Sequence, residues 1–266
     1  MQQAFDTVAQ SYDASFTHSV IGIAQRNVVW SYLESTLSSN DELNILELNC
    51  GTGEDALWFA KKGHKVLATD ISEKMLEITQ EKIHEANLLS RVQTMQIDIR
   101  NIDSAGIKQK FDLVFSNFGG MNCISPIEIG QLTAELARLL NVNGRLIMII
   151  MPRYCLWETS YFLIKLNFKK AFRRYFNDST IAKLNGLEFR TFYYTPNQMK
   201  KIFGKYFDVI NIKPVGFFIP PSYLEKFFAP KLKTFNLLKK IEKIFSNQRI
   251  LAGFSDHYLI DLQVKK

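Results

Sequence analysis

A stretch near the start of the chain combines residue types that bind a nucleoside. Residues 45–48, ILEL, form a short apolar run typical of a buried parallel strand. Gly51 and Gly53 then allow the backbone to turn tightly and to approach a ligand closely. A helical pattern begins at Glu54 and directs its N-terminus at that ligand. Asp70 ends the next predicted strand, where a carboxylate can accept hydrogen bonds from both ribose hydroxyls, so the pattern indicates an adenosine-type ligand.

This spacing is compatible with more than one kind of nucleotide site. Gly51, Gly53 and Ala56 satisfy the G-x-G-x-x-G/A fingerprint of dinucleotide-binding folds, and Asp70 follows at about the expected distance. A nicotinamide-dependent oxidoreductase is therefore one interpretation. No hydride-transfer pair stands out in a suitable place, so the fingerprint is the sole support for it.

Further acidic and glycine-containing positions favour a different interpretation. Glu47 lies inside the end of the first strand, Asp98 closes a third strand, VQTMQID, and the segment FDLVFSNFGG at residues 111–120 closes a fourth. Together they resemble the class I S-adenosylmethionine-dependent methyltransferases. The segment AFDTVAQSYDASF at residues 4–16 resembles the opening of the ubiquinone-biosynthesis type of small-molecule methyltransferase. The resemblance covers roughly residues 1–152 and the last strand.

The resemblance departs from the family pattern at one position. The family has an acid followed by three glycines at alternate positions, and Asn49 stands where the first glycine is expected. Asparagine tolerates a positive φ angle better than other non-glycine residues, so the turn remains possible.

The resemblance implies specific contacts to S-adenosylmethionine and to its product S-adenosylhomocysteine. Asp70 would bind the ribose, Ile71 and Ile99 would sandwich the adenine, and Asp98 would accept a hydrogen bond from its exocyclic amine. Tyr12 would close over the cofactor, and residues at the end of the fourth strand would line its methionine end. The full implied set is Tyr12, Glu47, Asn49, Gly51, Gly53, Asp70, Ile71, Met75, Asp98, Ile99, Asn117, Phe118 and Gly119.

Methyl transfer from a sulfonium depends on alignment of the acceptor, the methyl carbon and sulfur more than on a base. A phenol or hydroxyl acceptor would still profit from proton removal. The candidate bases are His257, His18 and Glu158, and His257 follows Asp256, an acid that can orient its imidazole.

Composition limits the class of protein. The 266 residues are 47% hydrophobic and 22% charged, enough for one sizeable α/β domain with an elaboration. No apolar run approaches the roughly 20 residues of a membrane span, and the N-terminus lacks a signal-peptide pattern. The three cysteines lack metal-site or disulfide spacing, so no metal is expected. A cytoplasmic protein, with possible peripheral membrane association, is the expectation.

The net charge of +7 is unevenly distributed. Residues 153–251 carry 19 Lys and Arg against 6 Asp and Glu, a net +13, which leaves −6 for the remainder. Residues 161–176 and 223–245 mix Phe and Leu with five and six basic residues. Both segments are predicted to form amphipathic basic helices, which either pack their apolar faces on the core or lie on an anionic membrane.

The elements around these motifs alternate between strand and helix. Two helical segments within residues 1–40 precede five strand and helix alternations, and Ser72, Ser125 and Thr195 are predicted N-caps. The prediction is an α/β, doubly wound, Rossmann-like sheet of seven mostly parallel strands, with an antiparallel last strand and an inserted helical cap. The core is assigned to residues 1–152, 195–222 and 252–266, and the basic, Phe-rich cap to residues 153–194 and 223–251.

These observations predict a methyltransferase that acts on a small apolar or aromatic acceptor, quinone-like or lipid-like, held beneath the cap. A nucleic-acid or tRNA methyltransferase is an alternative, but residues 117–120, NFGG, lack the two prolines of the Asn/Asp-Pro-Pro-aromatic tetrad of base-amino methyltransferases. A non-catalytic adenosyl-binding protein or membrane adaptor is a third. The residues do not decide between O-, N- and C-methylation, or the oligomeric state.

Overall fold

The structure is a computed structural model that describes residues 2–37, 41–177 and 179–265. The predicted core boundaries at residues 1 and 266, and the stretch 38–40, lie outside the described residues, as does residue 178 of the predicted cap. The strands are β1 (Asn44–Leu48), β2 (Lys65–Asp70), β3 (Val92–Gln96), β4 (Phe111–Ser116), β5 (Leu140–Ile150), β6 (Ser179–Leu184), β7 (Leu187–Phe192), β8 (Phe207–Val215) and β9 (His257–Val264).

The helices precede, alternate with and follow these strands. They are α1 (Gln2–Asp6), α2 (Ala9–Tyr12), α3 (Val20–Thr36), α4 (Glu54–Lys61), α5 (Glu73–Glu85), α6 (Pro126–Leu139), α7 (Leu156–Ile164), α8 (Phe168–Ala171), α9 (Arg173–Phe176), α10 (Pro196–Phe203), α11 (Glu225–Phe228) and α12 (Leu232–Phe245). A π-helical turn covers Asp13–Thr17, and 3₁₀ segments cover Ile99–Ala105, Gly120–Cys123, Ser222–Leu224 and Arg249–Gly253. None of the described helices is both long and apolar enough to cross a membrane.

Seven strands form one sheet in the order β3-β2-β1-β4-β5-β9-β8. The pairs from β3 through to β5 are parallel, and β9 runs antiparallel between β5 and β8. This arrangement confirms the predicted fold, including its antiparallel last strand. It also differs from the 3-2-1-4-5-6 order of the dinucleotide-binding fold, because the last strand, β9, is inserted between β5 and β8.

Local sequence signals explain where the helices begin. The hydroxyl of Ser72 accepts a hydrogen bond from the backbone N–H of Met75 at 3.2 Å. Ser125 and Thr195 each form a complete capping box, with Pro at the first helical position. All three predicted N-caps are therefore confirmed. The sheet itself is covered on both faces by apolar side chains, as a central parallel sheet requires.

The region after β5 departs from the predicted helices. Residues 161–176 do not form one amphipathic helix but lie in the three short helices α7, α8 and α9. The break after α7 falls at Leu166, whose φ of 54° lies outside the right-handed helical region. An antiparallel hairpin, β6 paired with β7, follows and replaces helix in this part of the predicted cap. The second basic segment does contain a long helix, α12.

Candidate functional site

A cavity of about 630 Å³ opens at the carboxyl ends of the central strands. Its volume lies within the range of small-molecule sites. The turn after β1 and the ends of β2 and β4 form one side, whereas the N-terminal helices, the β6–β7 hairpin and the start of β9 form the other. It is lined by eleven of the predicted cofactor residues: Tyr12, Asn49, Gly51, Asp70, Ile71, Met75, Asp98, Ile99, Asn117, Phe118 and Gly119.

Asp70 holds the turn that follows β1. Its Oδ2 accepts the backbone N–H of Gly51 at 2.9 Å, and its Oδ1 accepts the backbone N–H of Ser72 at 2.9 Å. Burial raises the pKa of Asp70, and the backbone donors partly oppose that rise. Gly51 has a φ of 56° and lines the cavity. The Asp70 carboxylate therefore lies at a fixed position beside backbone that lines the cavity.

Gly53 acts through packing and does not line the cavity. Its φ is 78°, and a Cβ atom at this position would lie 2.5 Å from Cγ2 of Thr79. The Thr79 hydroxyl donates to the carbonyl of Gly51 at 2.9 Å. Helix α5 therefore packs directly against the turn, which only glycine permits here.

Asn49 adopts the positive φ that its position in the motif requires, 49°. Its Nδ2 donates to the carbonyl of Asn117 at 3.1 Å, and its Oδ1 accepts the hydroxyl of Ser116 at 3.0 Å. A Cβ atom on Gly120 would lie 2.0 Å from Cγ of Asn49. The asparagine thus ties the end of β1 to the end of β4.

Glu47 is buried and lies outside the cavity lining. Burial raises the pKa of its carboxyl well above the ordinary value, with the charges of Asp55 and Asp70 adding to the rise and Arg26 opposing it. Among the described residues, its Oε2 has no hydrogen-bond partner. Burial therefore favours the neutral form of this carboxyl group beside the turn.

Asp98 lines the cavity but is already engaged by a neighbour. Its Oδ1 accepts the backbone N–H and the Nε of Arg100, at 3.0 and 2.9 Å. Burial favours the protonated form, but these Arg100 contacts hold the pKa of Asp98 below its ordinary value. An ionised carboxylate has further lone pairs, so a ligand amine could still be accepted.

A buried polar cluster that the sequence did not reveal lies on the other side of the turn. Asp55 pairs with Arg26 Nη1 at 2.5 Å and accepts Trp30 Nε1 at 2.7 Å and Asn117 Nδ2 at 2.9 Å. Arg26 also lies over the ring of Phe118, 5.3 Å from its centroid. Helix α3 is thereby fixed to the ends of β4 and the start of α4.

Aromatic rings continue from this cluster along the cavity wall. The ring of Phe16 lies 5.8 Å from that of Tyr12 and 5.2 Å from that of Phe118, and the Phe118 ring lies 5.3 Å from His257. Burial raises the pKa of Tyr12 to about 12, so its hydroxyl stays protonated. The wall is apolar with a few polar groups at its edge.

The three predicted bases occupy different environments. His257 lines the cavity, and its Nδ1 lies 3.2 Å from Oδ2 of Asp256, which also accepts Gln25 Nε2 at 3.0 Å. Burial opposes ionisation of Asp256, but the neighbouring His257 and Arg174 side chains hold its pKa below the ordinary value. His18 is exposed and does not belong to the described cavity lining.

Glu158 lines the cavity but has a different task. Its carboxylate accepts Arg173 Nε at 2.7 Å and Arg174 Nη2 at 2.6 Å. Burial opposes ionisation, yet the two guanidinium groups hold the pKa of Glu158 below its ordinary value. A carboxylate held this way is a poor proton acceptor. Of the three candidates, His257 is the one that lines the cavity without an arginine partner, and its Nδ1 makes no hydrogen bond among the described residues.

The β6–β7 hairpin supplies cavity residues that the sequence analysis missed. Its turn, Asn185-Gly186, has φ angles of 45° and 85°, as a type I′ turn requires. The Asn-Gly dipeptide between alternating segments is a hairpin signal that could have identified it. The missed lining residues of the hairpin region are Thr180, Ile181, Ala182, Leu184, Phe189, Thr191 and Tyr193.

The cavity fits an adenosyl ligand with an attached amino-acid chain. Asp70 offers a carboxylate for ribose hydroxyls beside the uncovered backbone of Gly51. Ile71 and Ile99 offer apolar faces for a base, with the Asp98 carboxylate nearby in the same lining. These groups match the donor and acceptor pattern of S-adenosylmethionine.

Comparison with known proteins supports the same assignment. Residues 45–144 match a family model described as "Methyltransferase domain". The chain is 26% identical over 181 residues to the demethylmenaquinone methyltransferase of Lactococcus lactis, which is 67% of this chain and 65% of that protein. The matches span 65%, 60% and 52% of three curated relatives, so the chain covers less than two thirds of their length.

Solved structures share the fold over almost the whole chain. An S-adenosylmethionine-dependent methyltransferase from Clostridium acetobutylicum aligns with a TM-score of 0.64 at 14% identity, over 98% of this chain and 99% of that one. Magnesium protoporphyrin IX methyltransferase from Synechocystis, solved with bound S-adenosylhomocysteine, aligns with a TM-score of 0.59 at 17% identity, over 92% and 85%. The motif match, the sequence relatives and the shared fold agree in supporting a class I S-adenosylmethionine-dependent methyltransferase.

Proposed function

We propose that this chain transfers the methyl group of S-adenosylmethionine to a small apolar or aromatic acceptor. The observation that carries the proposal is one continuous cavity that joins the Gly51 and Asp70 turn to a wall of aromatic side chains. A site for the cofactor and a site for an apolar acceptor therefore share one space. We use "cofactor end" for the part at the turn and "acceptor end" for the part near His257 and Tyr223.

At the cofactor end we assign the roles that the sequence predicts. Asp70 holds the ribose, Ile71 and Ile99 enclose the adenine, and Asp98 accepts from its amine. Tyr12 lies over the turn: a Cβ atom on Gly51 would be 3.9 Å from its Cε1. Glu47 and Gly53 support the turn from outside the cavity, so their role is to shape it.

The bound cofactor supplies an electrophilic methyl group, which leaves the protein the tasks of alignment and water exclusion. Contacts between the N-terminal helices and the hairpin serve the second task. Asn185 Nδ2 donates to the carbonyl of Thr7 at 2.9 Å, and the rings of Phe5 and Phe189 lie 5.5 Å apart. These contacts connect two chain segments across the cavity and shield it from solvent.

The acceptor end favours a flat, apolar molecule. Its lining includes Phe118, Tyr193 and Tyr223, while Arg174 lies over the Tyr193 ring, 4.5 Å from its centroid. The relatives named demethylmenaquinone methyltransferase and magnesium protoporphyrin IX methyltransferase support a quinone-like or other ring-containing acceptor. For a hydroxyl acceptor, we propose that His257 removes the proton while Asp256 orients the imidazole.

The proposal also covers the cellular location of the protein. We propose a cytoplasmic protein whose basic segments, residues 153–194 and 223–251, make peripheral contact with an anionic membrane. The division into a core and a cap remains a prediction.

The test of function is a methyl-transfer assay with radiolabelled S-adenosylmethionine. Hydroxyquinones, simple phenols and unmodified tRNA are offered as separate acceptors. Label transfer to a quinone or phenol supports the proposal. Transfer to tRNA alone would replace it with the nucleic-acid alternative.

A further inference from the structure

The turn between α7 and α8 exposes an unusual concentration of apolar side chains. Ile164, Leu166 and Phe168 are 83%, 78% and 60% exposed. Three lysines alternate with or follow them, at Lys165, Lys169 and Lys170. We call residues 164–170, IKLNFKK, the exposed turn. Single exposed apolar residues are ordinary, but three in five positions beside three lysines are not.

The exposed turn is held in a defined conformation. The backbone N–H of Leu166 donates to the carbonyl of Leu163 at 2.9 Å, and that of Asn167 donates to Phe162 at 2.8 Å. The side chain of Asn167 then caps α8 by accepting the N–H of Lys170 at 3.0 Å. Leu166 itself has a φ of 54°, which disfavours a leucine. The fold therefore maintains a strained backbone that presents a leucine to solvent.

The lysines of the exposed turn lack acidic neighbours in sequence. Between Glu158 and residue 177 the chain has no Asp or Glu, and Glu158 is bound by Arg173 and Arg174. Two of the lysines lie over aromatic rings: Lys165 is 4.7 Å from the Tyr161 centroid, and Lys170 is 5.6 Å from that of Phe162. The result is a positively charged rim around an apolar tip.

The exposed turn is attached directly to the acceptor end of the cavity. The rings of Tyr161 and Phe162 in α7 lie 5.6 and 6.4 Å from the ring of Tyr223. Tyr223 lines the cavity and is 46% exposed. A surface that held the exposed turn would therefore lie close to the acceptor end.

We propose that the exposed turn docks on an anionic phospholipid bilayer. The three apolar side chains enter the boundary between headgroups and acyl chains, and the lysines contact lipid phosphates. The uncompensated positive charge argues for this partner, because a second copy of the same turn would be repelled. Resting on the proposed function, the docking would place the acceptor end where an apolar acceptor concentrates.

The test is co-sedimentation of the full chain with vesicles. Vesicles of phosphatidylcholine alone are compared with equimolar phosphatidylcholine and phosphatidylglycerol. The variant carries Ile164→Ser, Leu166→Ser and Phe168→Ser. Its matched control carries Leu89→Ser, Ile127→Ser and Val142→Ser, at positions 65%, 75% and 79% exposed that do not line the cavity. A second variant replaces Lys165, Lys169 and Lys170 with Gln.

We expect the native chain and the control to bind only the anionic vesicles. The apolar-turn variant should lose at least about tenfold in partition coefficient, and the lysine variant should lose its preference for anionic lipid. Absent vesicle binding by the native chain overturns the proposal, and so does binding that persists in both turn variants. A native dimer that the turn variants convert to monomer, without vesicle binding, assigns the turn to self-association instead.

Titration with S-adenosylhomocysteine keeps this proposal separate from the proposed function. All variants should retain native affinity, since none of the changed residues lines the cavity. Vesicle binding without any S-adenosylhomocysteine binding would refute the proposed function and leave the docking surface standing.

Discussion

Asp70 Oδ2 accepts the backbone N–H of Gly51 at 2.9 Å, so the acid that we propose as the ribose acceptor also fixes the turn after β1. The same carboxylate also accepts the backbone N–H of Ser72, which precedes α5. One side chain therefore holds both the turn after β1 and the start of α5 in place.

Replacement of this acid should remove cofactor binding. We expect Asp70→Ala to weaken S-adenosylhomocysteine binding by about 100-fold or more, because hydrogen bonds to a charged group contribute roughly 1.5–3 kcal/mol each. Calorimetric titration measures the effect. The control is Asp112→Ala, which removes an acid that likewise accepts two hydrogen bonds, from Asn44 and Asn141. Equal affinity in the Asp70 variant and the native chain would refute the site assignment.

Gly53 should tolerate substitution less well than another glycine of similar conformation. Gly53→Ala strains a φ of 78° and also drives Cβ to 2.5 Å from Cγ2 of Thr79. Gly63→Ala strains a φ of 97° but meets no described atom within 4 Å. We expect Gly53→Ala to lower the free energy of unfolding by about 1–3 kcal/mol more than Gly63→Ala, from overpacking. Urea unfolding measures the free energy of unfolding of both variants. Equal losses would show that the Thr79 side chain moves away from the new Cβ atom.

The ion pairs of Glu158 should stabilise the fold. Glu158→Gln leaves the buried Arg174 without its charged partner, so we expect a loss of about 3–5 kcal/mol. Glu135→Gln, which removes an exposed partner of Arg138, should cost less than about 1 kcal/mol. Urea midpoints measure both. A native-like midpoint for the Glu158 variant would mean that the arginines find other partners.

Glu158 also determines how the stability of the fold changes with pH. Its folded pKa lies below the ordinary value of 4.5, so the folded state binds fewer protons than the unfolded state in that range. The stabilisation is present above pH 4.5 and is lost as pH falls through the folded pKa. The difference in unfolding free energy between the native chain and Glu158→Gln should therefore shrink on acidification below that point. A difference that grew instead would contradict the ion-pair account.

For Glu47 we predict the opposite change of stability with pH, at pH values above about 4.5. Its folded pKa lies well above 4.5, so the folded state keeps a proton that the unfolded state releases as pH rises. The native chain should lose stability relative to Glu47→Gln as pH increases above about 4.5. Thermal unfolding of both proteins at pH values above about 4.5 measures this loss. If the stability of both proteins changed with pH in the same way, Glu47 would be ionised in the folded state.

The nucleotide motif could be predicted from sequence because its signals are local. Gly51 and Gly53 need a positive φ, Ser72 caps a helix, and Asp70 ends a strand. Each of these roles can be predicted from the few residues around it. The doubly wound, mostly parallel sheet followed from the strand and helix alternation, with the antiparallel last strand supported by the family resemblance.

The acceptor end could not be predicted in the same way. Tyr193, Tyr223 and His257 line the same cavity only through tertiary packing, and nothing in their local sequence marks them as neighbours. The second basic segment keeps its helical period in α12, but the first is broken at Leu166 because tertiary packing overrides the periodic pattern. The hairpin carries a local signal in Asn185-Gly186, but the basic, Phe-rich composition of residues 153–194 masks it.

The most direct test of the central claim is calorimetric titration of the purified chain with S-adenosylhomocysteine, run beside an identical titration with NADH. We expect micromolar binding of S-adenosylhomocysteine, for which we propose Asp70 as the ribose acceptor and Asp98 as the acceptor of the adenine amine. We expect no binding of NADH, because the strand order of the sheet differs from that of the dinucleotide-binding fold. Binding of NADH alone, or of neither ligand, would contradict the claim.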